Sequence, residues 1–214
     1  MNPESLIFDI DGTLWDNRAV SAASYNQQLI EYGFPELATV TADTLLPLFG
    51  KTLPEIADIL FASVEAPLRY KLIDDCTARS LVDFETDPTL CSYPGVLETL
   101  TELSRHYRLF IVSNSELGYP QLTMRKLGIT HLILDHMCHG DTGLPKGETL
   151  KQLCARNGIE NGVYIGDTQG DLDAATTAGL SFVWASYGFG TPDHFDARID
   201  QFPELLKIFP GNKM

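Results

Sequence analysis

Apolar residues run without a break through Leu6-Ile7-Phe8 and then give way to two acids, Asp9 and Asp11. This predicts a strand over about residues 4–10 that ends in carboxylates. From 17 into the eighties the spacing changes to threes and fours (Leu29 and Ile30; Ile56, Ile59 and Leu60; Leu68, Leu72 and Ile73), which predicts helices with no strand between them. After Tyr93-Pro94-Gly95 the chain alternates. Helices at 95–105, 118–127, 147–157 and 170–178 lead into the apolar runs 109–112, 132–134, 163–165 and 182–184. Such alternation implies right-handed crossovers and a parallel sheet. Runs that are apolar at every position fit strands buried on both faces, with helices covering each. The all-helical block is therefore expected to be inserted between the first strand and the rest of the sheet.

Ligands of such sheets gather at the carboxyl ends of the strands. There the first strand delivers Asp9 and Asp11, two apart on an extended segment and so expected to face one volume. Close carboxylates repel, and a cation or shared proton usually relieves them. Gly12 permits a sharp turn, and Thr13 adds a hydroxyl. Strand 109–112 delivers Ser113, Asn114 and Ser115, Lys146 opens the next helix, and strand 163–165 leads into Gly166-Asp167-Thr168-Gln169-Gly170-Asp171. Carboxylates, hydroxyls, an amide and an ammonium together cover what phosphoryl transfer requires: a nucleophile, a hard oxygen site for Mg²⁺ and donors for phosphoryl oxygens. Asp171 also fits a capping box with Thr168.

A net charge of -14 over 214 residues argues against nucleic acid as a partner. An anionic substrate would need a local positive centre. The opening Met1-Asn2-Pro3-Glu4 has no leader pattern, no apolar run approaches a membrane span, and Cys76, Cys91, Cys138 and Cys154 form no C-x-x-C pair. A cytoplasmic protein with reduced thiols and no membrane contact is expected. Three other patterns carry less. Gly50-Lys51-Thr52 lacks the first glycine of a P-loop, Asp9 to Val20 lacks the glycine and closing acid of a calcium loop, and His131, His136, Cys138 and His139 alternate sides of an extended segment.

In order along the chain, Phe8-Asp9-Ile10-Asp11-Gly12-Thr13-Leu14, Val112-Ser113-Asn114, Lys146 and Gly166-Asp167-Thr168-Gln169-Gly170-Asp171 resemble the four motifs of the haloacid dehalogenase superfamily. The helical block resembles the cap of its phosphoglycolate phosphatase-like group. One departure is Gly147-Glu148 after the lysine, where the family often has proline and a short polar residue. The resemblance implies an α/β fold, a Rossmann-like parallel sheet with helices on both faces plus an inserted all-helical cap domain. Residues 1–15 and 89–214 would form the core and 16–88 the cap, hinged at Trp15-Asp16-Asn17 and between Asp87 and Gly95, where Pro88 and Pro94 interrupt regularity.

The same resemblance implies a Mg²⁺-dependent phosphatase acting on a small phosphorylated metabolite such as phosphoglycolate or a sugar phosphate. Asp9 would be the nucleophile that forms an aspartyl-phosphate, and Asp11 the acid and base. Asp9, the Asp11 carbonyl and Asp167 would hold the metal, with Asp171 binding Lys146 or taking part in the metal site. Lys146 and Ser113, with Gly12, Thr13 and Asn114, would hold the phosphoryl group. Lys51 and Arg18 are candidates for the rest of the substrate, and Tyr187-Gly188-Phe189-Gly190 is glycine-rich enough to approach the site. A phosphosugar mutase and a phospho-accepting regulatory domain are the alternatives, and either a monomer or a homodimer fits.

Overall fold

The computed structural model describes residues 3–87 and 91–211, so the expected hinge at Pro88 and the boundary at 88/89 lie outside the described residues. The chain divides into two compact units, Met1–Asp16 with Leu90–Met214, and Asn17–Thr89.

The first unit carries six strands among its described residues: β1 (Ser5–Phe8), β2 (Arg108–Ser113), β3 (Ile133–Cys138), β4 (Gly162–Gly166), β5 (Ser181–Ala185) and β6 (Ala197–Ile199). They form one parallel sheet in the order β3-β2-β1-β4-β5-β6. This is the Rossmann-like α/β fold. The order reverses at β1, and a switch point of this kind opens a crevice at the carboxyl ends.

Burial explains the uniform apolar runs. Ile7, Phe110, Tyr164 and Phe182 are register partners across β1, β2, β4 and β5, and they pack with Leu150, Leu153, Leu172 and Ala175 on one face. On the other face, Phe8 meets Phe202 with ring centroids 5.9 Å apart.

Two strands differ from the sequence expectation. β3 continues past Leu134 through Asp135 and His136, because an edge strand tolerates polar side chains: Arg156 and Asn157 both donate to the Asp135 carboxylate. β6 is three residues long and too short to show a period.

The second unit, inserted between β1 and β2, is all-helical among its described residues. It contains α1 (Arg18–Glu31), α2 (Ala42–Leu45), α3 (Leu53–Leu60) and α4 (Ala66–Thr86). Its core gathers Tyr25, Leu29, Val40, Leu45, Phe61, Leu72 and Ile73. Asn26 closes the α1–α2 connection by donating to the Val40 carbonyl (2.8 Å) and accepting from its N–H (2.9 Å). Ile30, Ile59 and Leu68, expected on apolar faces, are instead exposed.

The first unit's helices are α5 (Val96–Leu103), α6 (Tyr119–Leu127), α7 (His139–Thr142), α8 (Lys146–Asn157), α9 (Gln169–Ala178) and α10 (Leu205–Ile208). No helix among the described residues is long and apolar enough to cross a membrane.

Candidate active site

Register decides what meets at the carboxyl end of the sheet. Phe8 lies opposite Ile111 and Ile165, so β4 runs one residue past the end of β1, to Gly166, and β2 two residues, to Ser113. Asp9 follows β1 on the side of Ile7, the face covered by α8 and α9. Lys146, the first residue of α8, is buried there and donates to Asp9 Oδ1 and to Asp171 Oδ1, each at 2.6 Å. Its aliphatic stem reaches this point with the ammonium 5.7 Å from the centre of the Tyr164 ring.

Asp171 has both oxygens engaged. Oδ1 accepts from Lys146 and from the Tyr164 hydroxyl (3.3 Å), while Oδ2 accepts the N–H groups of Asp167 (3.1 Å) and Thr168 (3.0 Å) and the Thr168 hydroxyl (2.8 Å). The capping box and the hold on Lys146 are thus two halves of one side chain. Burial pushes its pKa up, but Lys146 and the Thr168 donors outweigh this and hold it below the usual carboxylate range.

Asp167 reaches the same place from the turn after β4. Thr13 Oγ donates to its Oδ1 (3.3 Å) and the Phe189 N–H to its Oδ2 (2.6 Å). Carboxylate oxygens of Asp9, Asp167 and Asp171 all lie within 4.8 Å of one another. Burial, then Asp171 and Asp9, push the Asp167 pKa well up. Burial also raises Asp9 to about 7 against the pull of Lys146. Three buried carboxylates stand around one ammonium, which donates to Asp9 and to Asp171 alike. A hard divalent cation fits the remaining charge and the all-oxygen donor set.

Asp11 lies near enough for its charge to raise Asp9, but it is not one of the three converging acids. The strand stops at Phe8 and the Ile10 carbonyl takes the N–H groups of Thr13, Leu14 and Trp15, so residues 9–11 are not continuously extended. The Asp11 carboxylate therefore stands outside the converging three. Its Oδ1 accepts from Trp15 Nε1 (3.1 Å) and from the Tyr119 hydroxyl. Burial lifts its pKa to about 6, opposed by those two donors.

The expected phosphate-holding groups are distributed unevenly. Gly12 has φ +86°, and a Cβ there would lie 2.2 Å from Asp167 Oδ2, so only glycine fits. Its N–H is taken by the Trp15 carbonyl and the Thr13 hydroxyl by Asp167, so both support the turn and the acid rather than presenting donors outward. Ser113 ends β2, is buried, and accepts the Ser115 N–H (3.2 Å). Asn114 follows it, half-buried. Lys51 is exposed and Arg18 half-buried, both in the helical unit.

The Tyr187–Gly190 loop does approach the acids: a Cβ on Gly188 would lie 2.3 Å from Asp167 Cβ and 2.5 Å from the Gly12 carbonyl, and Tyr187 donates to the Thr13 carbonyl (2.8 Å). From the sequence, Trp15 is placed only in a hinge, and Tyr119 and Tyr164 are given no place beside the acids. Only Tyr164 carried a signal, a phenol inside a fully buried apolar run that must find partners.

With this geometry the chain belongs to the haloacid dehalogenase-like hydrolases, whose family profile matches residues 6–185. Within that family it falls in the phosphoglycolate phosphatase-like group. The chain is 30% identical to the phosphoglycolate phosphatase of Pasteurella multocida and 28% identical to that of Haemophilus influenzae, in each case across 94% of this chain and 96% of the relative. A predicted phosphoglycolate phosphatase from Haemophilus somnus, solved by crystallography, shares the fold with a TM-score of 0.82 at 24% identity, covering 97% of this chain and 98% of that one.

Proposed function

We propose that this protein is a Mg²⁺-dependent phosphatase that hydrolyses a small phosphate monoester of the phosphoglycolate or sugar-phosphate type through an aspartyl-phosphate on Asp9. The observation that carries the reading is Asp9 at the tip of β1, bonded to Lys146 inside one buried cluster with Asp167 and Asp171.

Asp9 attacks phosphorus and displaces the alcohol, so that one difficult displacement becomes two easier ones. Asp11 gives its proton to the departing ester oxygen and then takes one from the water that attacks the phosphoryl-enzyme. Its raised pKa, near 6, suits a group that must both give and take a proton close to neutrality. Lys146 stays an ammonium between Asp9 and Asp171 and offsets the phosphoryl charge. Ser113 and Asn114, at the neighbouring strand end, orient the phosphoryl oxygens.

Asp9, Asp167 and the Asp11 carbonyl would hold Mg²⁺, which when bound supplies a hard positive centre for the phosphoryl oxygens. Asp171, with its oxygens committed to Lys146, Tyr164, Asp167 and Thr168, serves that site by holding Lys146 and the Asp167 backbone. The helical unit acts as the cap, and Lys51 and Arg18 on it read the non-phosphate part of the substrate. A cytoplasmic location fits the four free thiols.

The test is phosphate release from a panel of metabolite monoesters, with 2-phosphoglycolate first, with and without Mg²⁺. Wild type should release phosphate only with the metal, and Asp9→Asn should release none. An isomerised phosphosugar without net phosphate would favour the mutase instead. Full activity in Asp9→Asn would overturn the reading.

A further inference from the structure

Asp11 lies beyond the end of β1, on a turn, where a carboxylate has several rotamers open to it. In this chain two aromatic side chains fix it. The Tyr119 hydroxyl and Trp15 Nε1 both donate to the same oxygen, Oδ1, and the indole N–H is also shared with the Tyr119 oxygen at 3.1 Å. The three groups close a triangle. The two rings meet edge to face with centroids 5.9 Å apart, which keeps the donors from swinging away.

Both donors are rigidly mounted. Trp15 is 1% exposed, and its backbone bridges to Asp11 and to Ser92. Tyr119 is 8% exposed and is the first residue of α6, placed by Gly118 in the left-handed region and followed by Pro120. Their hydrogen bonds to Asp11 Oδ1 are the route by which both residues reach the proton-transferring group.

We propose that Tyr119, with Trp15 behind it, is the positioning residue for proton transfer by Asp11. This rests on the acid role assigned to Asp11 above. An oxygen that accepts two donors is kept as the acceptor oxygen, so the transferable proton sits on the other one, Oδ2. During the first step the Oδ2–H bond breaks and the proton moves to the ester oxygen. The phosphorus–oxygen bond breaks with its electron pair staying on that oxygen, and phosphorus bonds to Asp9. Tyr119 and Trp15 keep their own protons throughout. Losing the phenol would let the carboxyl group rotate, and the proton would no longer be aimed at the leaving oxygen.

The discriminating property is the leaving group. An alkoxide needs a proton to depart, whereas 4-nitrophenolate leaves unaided. The experiment measures kcat/KM, which reports all steps up to departure of the alcohol, for 2-phosphoglycolate (or the alkyl ester turned over fastest in the panel) and for 4-nitrophenyl phosphate. The proteins are wild type, Tyr119→Phe, Trp15→Phe and Asp11→Asn, each checked by thermal melting. Asp11→Asn should lose about 100-fold or more on the alkyl ester and far less on the aryl ester. Tyr119→Phe should follow the same pattern at about tenfold, through kcat rather than KM. Trp15→Phe should show a smaller loss of the same kind. Equal losses on both esters would mean a merely structural role and would overturn the proposal, as would an unchanged alkyl rate in Tyr119→Phe. If Asp11→Asn itself fails to distinguish the esters, the acid role of Asp11 has failed and the proposal falls with it.

Discussion

Lys146 Nζ lies 2.6 Å from Asp9 Oδ1, and the opposite side of the same ammonium is held at 2.6 Å by Asp171. All three side chains are buried, so the lysine is the counter-charge that lets the acids coexist at the end of β1.

Lys146→Met should therefore cost both stability and activity. Removing one partner of a buried ion pair leaves uncompensated charge, a loss of about 3–5 kcal/mol. The kcat should fall by about 100-fold or more, since a fixed positive group facing the phosphoryl oxygens is lost. Denaturant melts and steady-state rates check this. Adding Asp171→Asn should recover part of the stability and none of the activity.

Asp167 has the opposite imbalance. Its raised pKa means that the folded state favours the protonated acid, so stability is fully present at low pH and falls as pH rises through that raised value. Asp167→Asn should thus melt higher than wild type at neutral pH when Mg²⁺ is absent. Saturating Mg²⁺ at about 100 times its Kd should stabilise wild type by about 2.7 kcal/mol and leave the Asn variant nearly unmoved. Thermal melts with and without the metal decide it, and an equal Mg²⁺ shift in both proteins would contradict the account.

Gly188 is set by space alone. A Cβ there would lie 2.3 Å from Asp167 Cβ and 2.5 Å from the Gly12 carbonyl. Gly188→Ala should destabilise by about 1–3 kcal/mol and push Asp167 aside. Mg²⁺ titration of the activity should then show a higher half-saturating concentration, while an unchanged one would mean that the loop does not govern Asp167.

Far from the site, Asp135 ties the edge strand β3 to α8. Burial raises its pKa, but donors on Asn157, Arg156 and the His136 backbone prevail and hold it below the usual range. For a depressed carboxylate the stabilisation is present above the unfolded-state pKa and lost as pH falls through the folded one. Asp135→Asn should cost about 1 kcal/mol at pH 7, modest because the Arg156 side is half exposed. That difference from wild type should shrink in melts taken below pH 4.

How far the sequence reached depends on the distance between the residues concerned. Local patterns gave Asp9, Lys146, Asp167 and Asp171, because each sits where a strand ends or a helix begins. The parallel sheet and the α/β class followed from alternation alone, while the strand order did not. The pairing of Asp11 with Tyr119 did not, because 108 residues separate them and neither carries a periodic signal. Alternation along an extended 9–11 could not show the turn onto the Ile10 carbonyl, although the Asp11 charge still bears on Asp9. In the helical unit, Leu29 is buried and Ile30 exposed, since adjacent helical positions lie about 100° apart and an apolar pair cannot show which member faces inward.

The most direct measurement of the central claim is rapid acid quenching of the enzyme during turnover with Mg²⁺ and its best monoester, followed by peptide mass spectrometry. The account predicts one phosphoryl group on the peptide that contains Asp9, appearing before free phosphate and absent in Asp9→Asn. Phosphate released at full rate with no phosphoryl-enzyme at any time, or with the phosphoryl group on another residue, would contradict it.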